Sequence, residues 1–131
     1  MGREKGYLER IAELRVRYRA DGDTLLHGDY FPGSWLRTPA AVVIIDPEFC
    51  FLGPPEFDLG ILRAHLILTK QEDLWPTMIA RYTGAADWRL ADRFAGVELM
   101  RRLNGVEQQP WQEAVTNKRV RLDHSRRLLC G

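Results

Sequence analysis

The sequence contains few of the residues that mark secreted, zinc-bound or membrane proteins. It has two cysteines in 131 residues, Cys50 and Cys130, which stand far apart. Two isolated thiols form neither a disulfide framework nor a zinc site, so we expect a cytoplasmic protein. No apolar run approaches the ~18 residues that a membrane span needs. Charged residues follow closely on Met1, which predicts no secretion signal, and we expect no membrane partner.

An excess of charge of one sign is also absent. The 19 basic and 18 acidic residues give a net charge of +1. This balance gives no reason to expect nucleic acid as a partner. The hydrophobic fraction is 45%, and the length is sufficient for one domain, residues 1–131, with its own core.

The spacing of apolar residues predicts an α+β protein that is mostly helical. Residues 4–20 repeat apolar side chains every three or four positions, as an amphipathic helix does, and Gly22 is placed for a left-handed cap after it. Helical spacing returns after Glu56. The predicted helices there are 57–69, 73–82, 88–103 and 112–129, and Asp87 stands at the N-cap position of the third of these.

Short strands are predicted between the first helix and the others. Thr24–Leu26 is expected to be a buried strand. Trp35–Arg37 and residues 40–45 are expected to form a hairpin around Thr38 and Pro39, with its second arm buried on both faces. This register places Ser34 opposite Asp46 at the strand ends. The segment after Pro47 is rich in proline and glycine and is predicted to be a rigid loop.

Four acidic residues stand in the least regular part of the chain, at Asp29, Asp46, Glu48 and Asp58. The hairpin is expected to bring the first three together, with Ser34 beside them. Asp46 and Glu48 are two positions apart and would share one side of an extended segment, while the proline between them ends the strand pairing. We therefore expect oxygen-bearing side chains at the mouth of the hairpin to gather closely enough to share one divalent cation.

Two carboxylates and a hydroxyl at strand ends are suitable ligands for Mg²⁺, which prefers oxygen and leaves room for substrate phosphates. Asp29 could then accept or orient the proton of an attacking hydroxyl, which is the arrangement of phosphoryl transfer. The three histidines are scattered and show no zinc-ligand spacing. Each acid taken alone is better explained as a turn or cap residue, whereas the joint set favours a functional site.

These residues also carry a family resemblance. The triplet His27-Gly28-Asp29, the run Asp46-Pro47-Glu48-Phe49 and residues 53–60 resemble the C-terminal lobe of the aminoglycoside phosphotransferase/choline kinase superfamily. The likeness is greatest to its methylthioribose kinase branch, whose helix with two adjacent arginines resembles residues 94–103. The resemblance runs from about Asp23 to the end of the chain. It implies a protein-kinase-like C-terminal lobe in which a short catalytic-loop hairpin packs on about five helices.

The resemblance implies a role for each matching residue and a reaction. Asp29 is the catalytic base, Asp46, Glu48 and Ser34 are the Mg²⁺ ligands, His27 and Asp58 support the site, and Arg101 and Arg102 bind substrate. The implied reaction transfers the γ-phosphate of ATP to a hydroxyl of a sugar-like or aminoglycoside-like acceptor, with Mg²⁺ and ATP as cofactors.

Some of these residues have a second interpretation from the sequence itself. Asp58 is equally explained as an N-terminal cap of the helix that follows it. Arg101 and Arg102 project about 100° apart on a helix, so at most one of them faces a ligand squarely. The sequence departs from the branch at His65, where the branch has Asn, and at residues 30–32. Both departures concern the acceptor rather than the chemistry.

The superfamily binds ATP between two lobes, and its N-terminal lobe supplies a glycine-rich loop and a strand lysine. Neither occurs in these 131 residues, so we expect little or no turnover from the chain alone. An N-terminal lobe in trans or a second copy of the chain is the expected partner. The alternative is a non-catalytic, kinase-like remnant that interacts or self-associates through the surface that such a lobe would cover.

Overall fold

The computed structural model describes residues 2–104 and 115–131, with side chains from 5–103 and 119–131. These ranges hold five α-helices and four short strands, so the prediction of a mostly helical protein is confirmed. The start predicted for the last helix, residue 112, lies outside the described residues. The elements are α1 (Gly2–Arg19), β1 (Thr24–Leu26), β2 (Trp35–Arg37), β3 (Val42–Ile44), β4 (Phe51–Gly53), α2 (Glu56–Leu68), α3 (Trp75–Arg81), α4 (Trp88–Asn104) and α5 (Val115–Cys130).

Helix α4 packs against both α2 and α5, and these contacts form most of the core. Two glycines allow the close approach of the helices. A Cβ on Gly60 of α2 would lie 2.6 Å from the Cβ of Phe94, and one on Gly96 of α4 would lie 2.7 Å from the carbonyl oxygen of Ser125. The Ser125 hydroxyl donates a hydrogen bond to the carbonyl of Gly96 and joins α5 to α4. Any larger side chain at these glycines would force the helices apart.

The beginnings of α2 and α4 are tied together. The Asp87 carboxylate accepts hydrogen bonds from the backbone N–H groups of Arg89 (3.0 Å) and Leu90 (3.2 Å), which confirms it as the N-cap. The backbone N–H of Asp87 in turn donates to the buried carboxylate of Glu56 at 2.8 Å. The first turn of α2 therefore fixes where α4 begins.

Helix α1 covers one end of this core and differs from its prediction in two details. Leu14 is buried against α4 and α5, whereas Leu8 is exposed, so the apolar stripe is narrower than expected. The backbone of Gly22 is not left-handed, and the predicted cap is wrong. A Cβ at Gly22 would overlap the backbone of Gly53, so glycine is needed there because β4 passes close by.

Strand β1 pairs antiparallel with β4, so that Leu25 lies opposite Leu52. The prediction of a rigid loop is therefore wrong for Phe51–Gly53. The predicted burial of β1 holds for Leu26 alone, because Leu25 is exposed and Thr24 is half-buried. Strand β4 was not predicted, because its pairing with a distant segment leaves no pattern among its own residues.

Strands β2 and β3 form the predicted hairpin, with Leu36 opposite Val43. The backbone N–H of Ile45 donates to the carbonyl of Ser34 at 2.8 Å, so Ser34 lies opposite Ile45 and not Asp46, one residue from the predicted register. The prediction that β3 is buried on both faces is wrong. Val42, Val43 and Ile44 are 63%, 44% and 53% exposed, because among the described elements β2 alone packs closely on β3.

Over residues 2–104 and 115–131, the structure has no helix whose length and hydropathy would suit a membrane crossing.

Candidate active site

The loop after β1 is held by a carboxylate from α2. Asp58 accepts hydrogen bonds from the backbone N–H groups of His27 (2.7 Å) and Gly28 (3.0 Å). Gly28 has φ +87°, and a Cβ there would overlap the carbonyl oxygen of Phe49, so only glycine fits this turn. Helix α2 begins after Pro55 without a side-chain cap, and the predicted capping role of Asp58 is therefore not seen. Its carboxylate holds the loop instead.

The side chain of His27 connects this loop to the end of β3. Its Nε2 lies 2.7 Å from the carbonyl oxygen of Ile45, and its Nδ1 accepts a hydrogen bond from the backbone N–H of Asp29 at 3.2 Å. Because a carbonyl accepts and a backbone N–H donates, the ring carries its proton on Nε2. The Ser34 hydroxyl donates to the carbonyl of Asp29 at 3.0 Å. The backbone of Asp29 is thus fixed at both its N–H and its C=O.

Asp46 and Glu48 lie in the turn that follows β3. Asp46 has left-handed backbone angles (φ 60°, ψ 55°), and Pro47–Phe49 is a 3₁₀ turn rather than an extended segment. With three residues per turn, residues two apart do not share a face, so the reason for expecting both carboxylates on one side does not apply. Both residues are exposed, and neither makes a hydrogen bond or ion pair with any described residue.

The predicted gathering of acids is not found. Within residues 2–104 and 115–131, no three Asp, Glu, His or Cys side chains lie close enough together to hold a metal ion. Ser34 is buried and directs its hydroxyl to the carbonyl of Asp29. The structure therefore brings Asp29, His27, Ser34 and Asp58 together through hydrogen bonds, but it does not join Asp29, Asp46 and Glu48 into one cluster.

A cleft of about 630 Å³ opens beside Asp29, and it is large enough for a small molecule. Its walls come from the loop after β1, α2 and α4, and Phe49 of the acidic turn (residues 46–49) also lines it. The lining residues are Gly28, Asp29, Phe31, Pro32, Gly33, Phe49, His65, Thr69, Arg101 and Arg102.

Both arginines that were predicted to bind substrate line this cleft, and Glu98 holds them. Arg101 donates to the two carboxylate oxygens of Glu98 at 2.9 and 2.8 Å, and Arg102 donates to one of them. A second nitrogen of Arg102 lies 3.5 Å from the carboxylate of Asp29. Burial alone would raise the pKa of Glu98, but the two guanidinium groups hold it below its usual value. Glu98 is therefore an anion between two cations.

No role was predicted from the sequence for Glu98, and Phe31 and His65 were noted only as departures from the branch that concern the acceptor. Glu98 had a signal, because it precedes the two arginines by three and four positions on one helix. Phe31 stacks on the imidazole of His65, with centroids 4.3 Å apart, and the guanidinium of Arg102 lies 5.3 Å from the Phe31 ring centre. Burial and the charge of Arg102 lower the pKa of His65 to about 4. The imidazole is therefore neutral near pH 7.

Comparison with known proteins identifies a family. The sequence pattern of the phosphotransferase enzyme family matches residues 3–94, which include the loop after β1, the acidic turn and Asp58. The chain belongs to this phosphotransferase family, as the resemblance of its motifs indicated. Its mostly helical fold with small antiparallel sheets is compatible with a C-terminal lobe of that family.

Curated relatives are named methylthioribose kinase. One from Exiguobacterium sibiricum is 29% identical and covers 91% of this chain and 40% of its own length. One from a Geobacillus species is 30% identical over 94% of this chain and 39% of its own length. Methylthioribose kinase 1 of Oryza sativa is 45% identical over 44% of this chain and 14% of its own length. The chain thus spans about 40% of the bacterial relatives that it matches.

Proposed function

We propose that the chain forms the acceptor-binding and metal-binding part of a small-molecule kinase. The reaction transfers the γ-phosphate of ATP to a hydroxyl of a sugar-like acceptor. The observation that carries this proposal is the fixed position of Asp29, whose backbone is bonded to His27 and Ser34 at the rim of the cleft. The names of the curated relatives support a sugar acceptor.

In the proposed reaction, an acceptor hydroxyl in the cleft attacks the γ-phosphorus in line with the leaving oxygen. A bond forms between the acceptor oxygen and phosphorus, the bond from phosphorus to the β-phosphate oxygen breaks, and ADP leaves. The hydroxyl proton passes to the carboxylate of Asp29. His27 and Asp58 position the loop, and Arg102 faces Asp29 from the opposite wall.

The donors in the acidic turn fit Mg²⁺ in kind. Asp46 and Glu48 offer exposed carboxylates without protein partners among the described residues. One or two carboxylates are sufficient because Mg²⁺ completes its shell with water and phosphate oxygens. When bound, the ion would supply positive charge beside the phosphates. The bond from Ser34 to Asp29 supports a positioning role for this hydroxyl in place of the ligand role that the resemblance implies.

The metal assignment is tested by thermal unfolding of the chain with Mg²⁺ and ATP. A bound ligand raises stability by about 2.7 kcal/mol at 100 times its dissociation constant. We expect Mg²⁺ with ATP to raise the Tm of the wild type but not that of the double variant Asp46→Asn, Glu48→Gln. The matched control is Glu72→Gln, Asp73→Asn, which alters another exposed acidic pair in a 3₁₀ turn and should behave as wild type. No shift in the wild type would contradict the proposal.

Turnover by the chain alone is expected to be slight, because its 131 residues hold no glycine-rich phosphate loop and no strand lysine. The measurement is ADP release with methylthioribose as acceptor. Robust activity of the isolated chain would show that these nucleotide-binding elements are not required.

A second candidate function is a non-catalytic module that self-associates. The observation in its favour is the exposed apolar surface of the hairpin, formed by Leu36, Val42, Val43 and Ile44. Sedimentation equilibrium distinguishes the two functions when it is combined with the thermal assay. A dimer that dissociates in Val43→Thr, together with no response to Mg²⁺ and ATP, would favour the module.

A further inference from the structure

We propose that His65 is a positioning residue for the acceptor, and that its imidazole forms a hydrogen bond with a hydroxyl of a neutral, polyhydroxylated molecule in the cleft. This inference rests on the proposed function and extends it to the choice of acceptor.

The imidazole is held firmly in the wall of the cleft. His65 belongs to α2, and only 8% of the residue is exposed. Its ring stacks on Phe31, with centroids 4.3 Å apart and planes 18° apart. Phe31 stands two positions after Asp29, and both residues line the same cleft as His65. Burial and the stacking on Phe31 leave the ring little freedom to turn toward bulk water.

The polar atoms of this ring have no partner from the protein. Neither nitrogen makes a hydrogen bond within the described residues, and Nε2 is buried. Leaving a buried donor or acceptor unpaired is unfavourable, and most such atoms in native proteins are paired. The other described buried atoms without a partner belong to residues that do not line this cleft. Because His65 lines the cleft and its Nδ1 is not among the buried atoms, a molecule bound there is the partner that we propose for the ring.

The charges around His65 define the chemistry of that partner. Arg101 and Arg102 of α4 face the ring, and the carboxylate of Glu98 lies between them. Burial and Arg102 hold the imidazole neutral, and Glu98 compensates only part of their effect on its pKa. A neutral imidazole has one donor and one acceptor nitrogen, which suits a hydroxyl that both donates and accepts. Since Glu98 already occupies the two guanidinium groups, a neutral acceptor fits this wall better than an anionic one.

The test is calorimetric binding of methylthioribose, the sugar in the names of the relatives, to three variants of the chain. His65→Phe keeps a flat ring on Phe31 but removes both nitrogens, and we expect its affinity to fall by about tenfold or more. His65→Gln retains a donor and an acceptor and should restore part of the affinity. His124→Phe changes a half-buried histidine on α5 that does not line the cleft and should bind as wild type.

A second measurement separates positioning from a purely structural role. Replacing an unpaired buried polar ring by an apolar ring of similar shape removes the cost of the unpaired atoms. His65→Phe should therefore keep the wild-type Tm or exceed it while its affinity for the sugar falls. In the wild type, the imidazole ¹⁵N signals of His65 should shift as the sugar is added.

Equal affinity in wild type and His65→Phe would overturn the inference, as would the absence of any binding of the sugar to the wild type. The thermal assay with Mg²⁺ and ATP is run in parallel. A response that depends on Asp46 and Glu48 together with equal sugar affinities would reject the role of His65 alone. The absence of that response in the wild type would reject the proposed function itself.

Discussion

Asp58 stands in the first turn of α2 and accepts hydrogen bonds from two successive backbone N–H groups of the loop after β1. Burial raises the pKa of this carboxyl, although the bonds from His27 and Gly28 oppose the shift. The loop is also held by the bond from Ser34 to Asp29 and by the stacking of Phe31 on His65, but Asp58 is the side chain that binds its backbone N–H groups at His27 and Gly28. A residue that belongs to a helix thus determines the geometry of a loop about thirty positions earlier in the chain.

Replacing Asp58 by Ala should destabilise the protein by about 1–3 kcal/mol, because two half-buried N–H groups lose their acceptor. Asp58→Asn keeps one acceptor oxygen and should lie between Ala and wild type. Unfolding in urea measures the effect, and Asp21→Ala, an exposed aspartate without a described contact, is the control. A value for Asp58→Ala as small as the control's would show that the loop does not depend on this carboxylate.

For single residues, the sequence predicted the candidate residues better than it predicted their hydrogen-bond partners. The order of motifs identified Asp29 and Asp58, because their neighbours in the chain carry the signal. The bond from Ser34 to the carbonyl of Asp29 could not be read in advance, since it depends on the path of the backbone between them. The pairing of Glu98 with the arginines could have been predicted, because a carboxylate three and four positions before two arginines on a helix is a local pattern.

Among the elements, the helices and the strands β1, β2 and β3 form where the sequence predicts them, but the register of the hairpin and the burial of β3 differ from the prediction. The hairpin turn shows why the register was wrong by one residue. Thr38 bonds to Ala41 through both backbone and side chain, so the turn spans these residues and is centred after Pro39. The prediction that β3 is buried was wrong for a different reason. A run of valine and isoleucine predicts an apolar strand, but it cannot specify whether another element of the chain will cover it.

The exposure of β3 predicts a clear contrast between two substitutions. Val42→Thr should change the free energy of unfolding by less than about 1 kcal/mol, because this side chain is largely exposed. Leu99→Ala, at a fully buried position between α2 and α5, should cost about 2–5 kcal/mol. Both are measured in the isolated chain by urea unfolding. A cost above 2 kcal/mol for Val42→Thr would show that β3 is covered in solution.

For the whole molecule, acidity should reduce stability through His65. The pKa of its imidazole is lowered to about 4 in the folded protein, whereas an unfolded histidine titrates near 6.5. Between these values the unfolded chain binds more protons, so the free energy of unfolding falls as pH falls from about 6.5 to 4. This difference in the pKa of His65 contributes at most about 3 kcal/mol to the free energy of unfolding. The contribution is fully present above pH 6.5.

The measurement compares urea unfolding of wild type and His65→Phe between pH 7 and pH 4.5. The variant should lose less stability over this range. His124→Phe is the comparison, because burial lowers the pKa of His124 as well, but that residue is more exposed. Parallel pH profiles for wild type and His65→Phe would contradict the burial of a neutral imidazole.

Helix α2 serves four sites along its length. Glu56 fixes the start of α4, Asp58 holds the loop after β1, Gly60 sets the distance to α4, and His65 forms part of the cleft wall. The two helical walls of the cleft, α2 and α4, are consequently joined to each other by a hydrogen bond and by close packing. Moving one of these walls outward to admit a larger ligand would break both contacts. A change of ligand specificity would therefore require substitutions of individual side chains along α2 and α4.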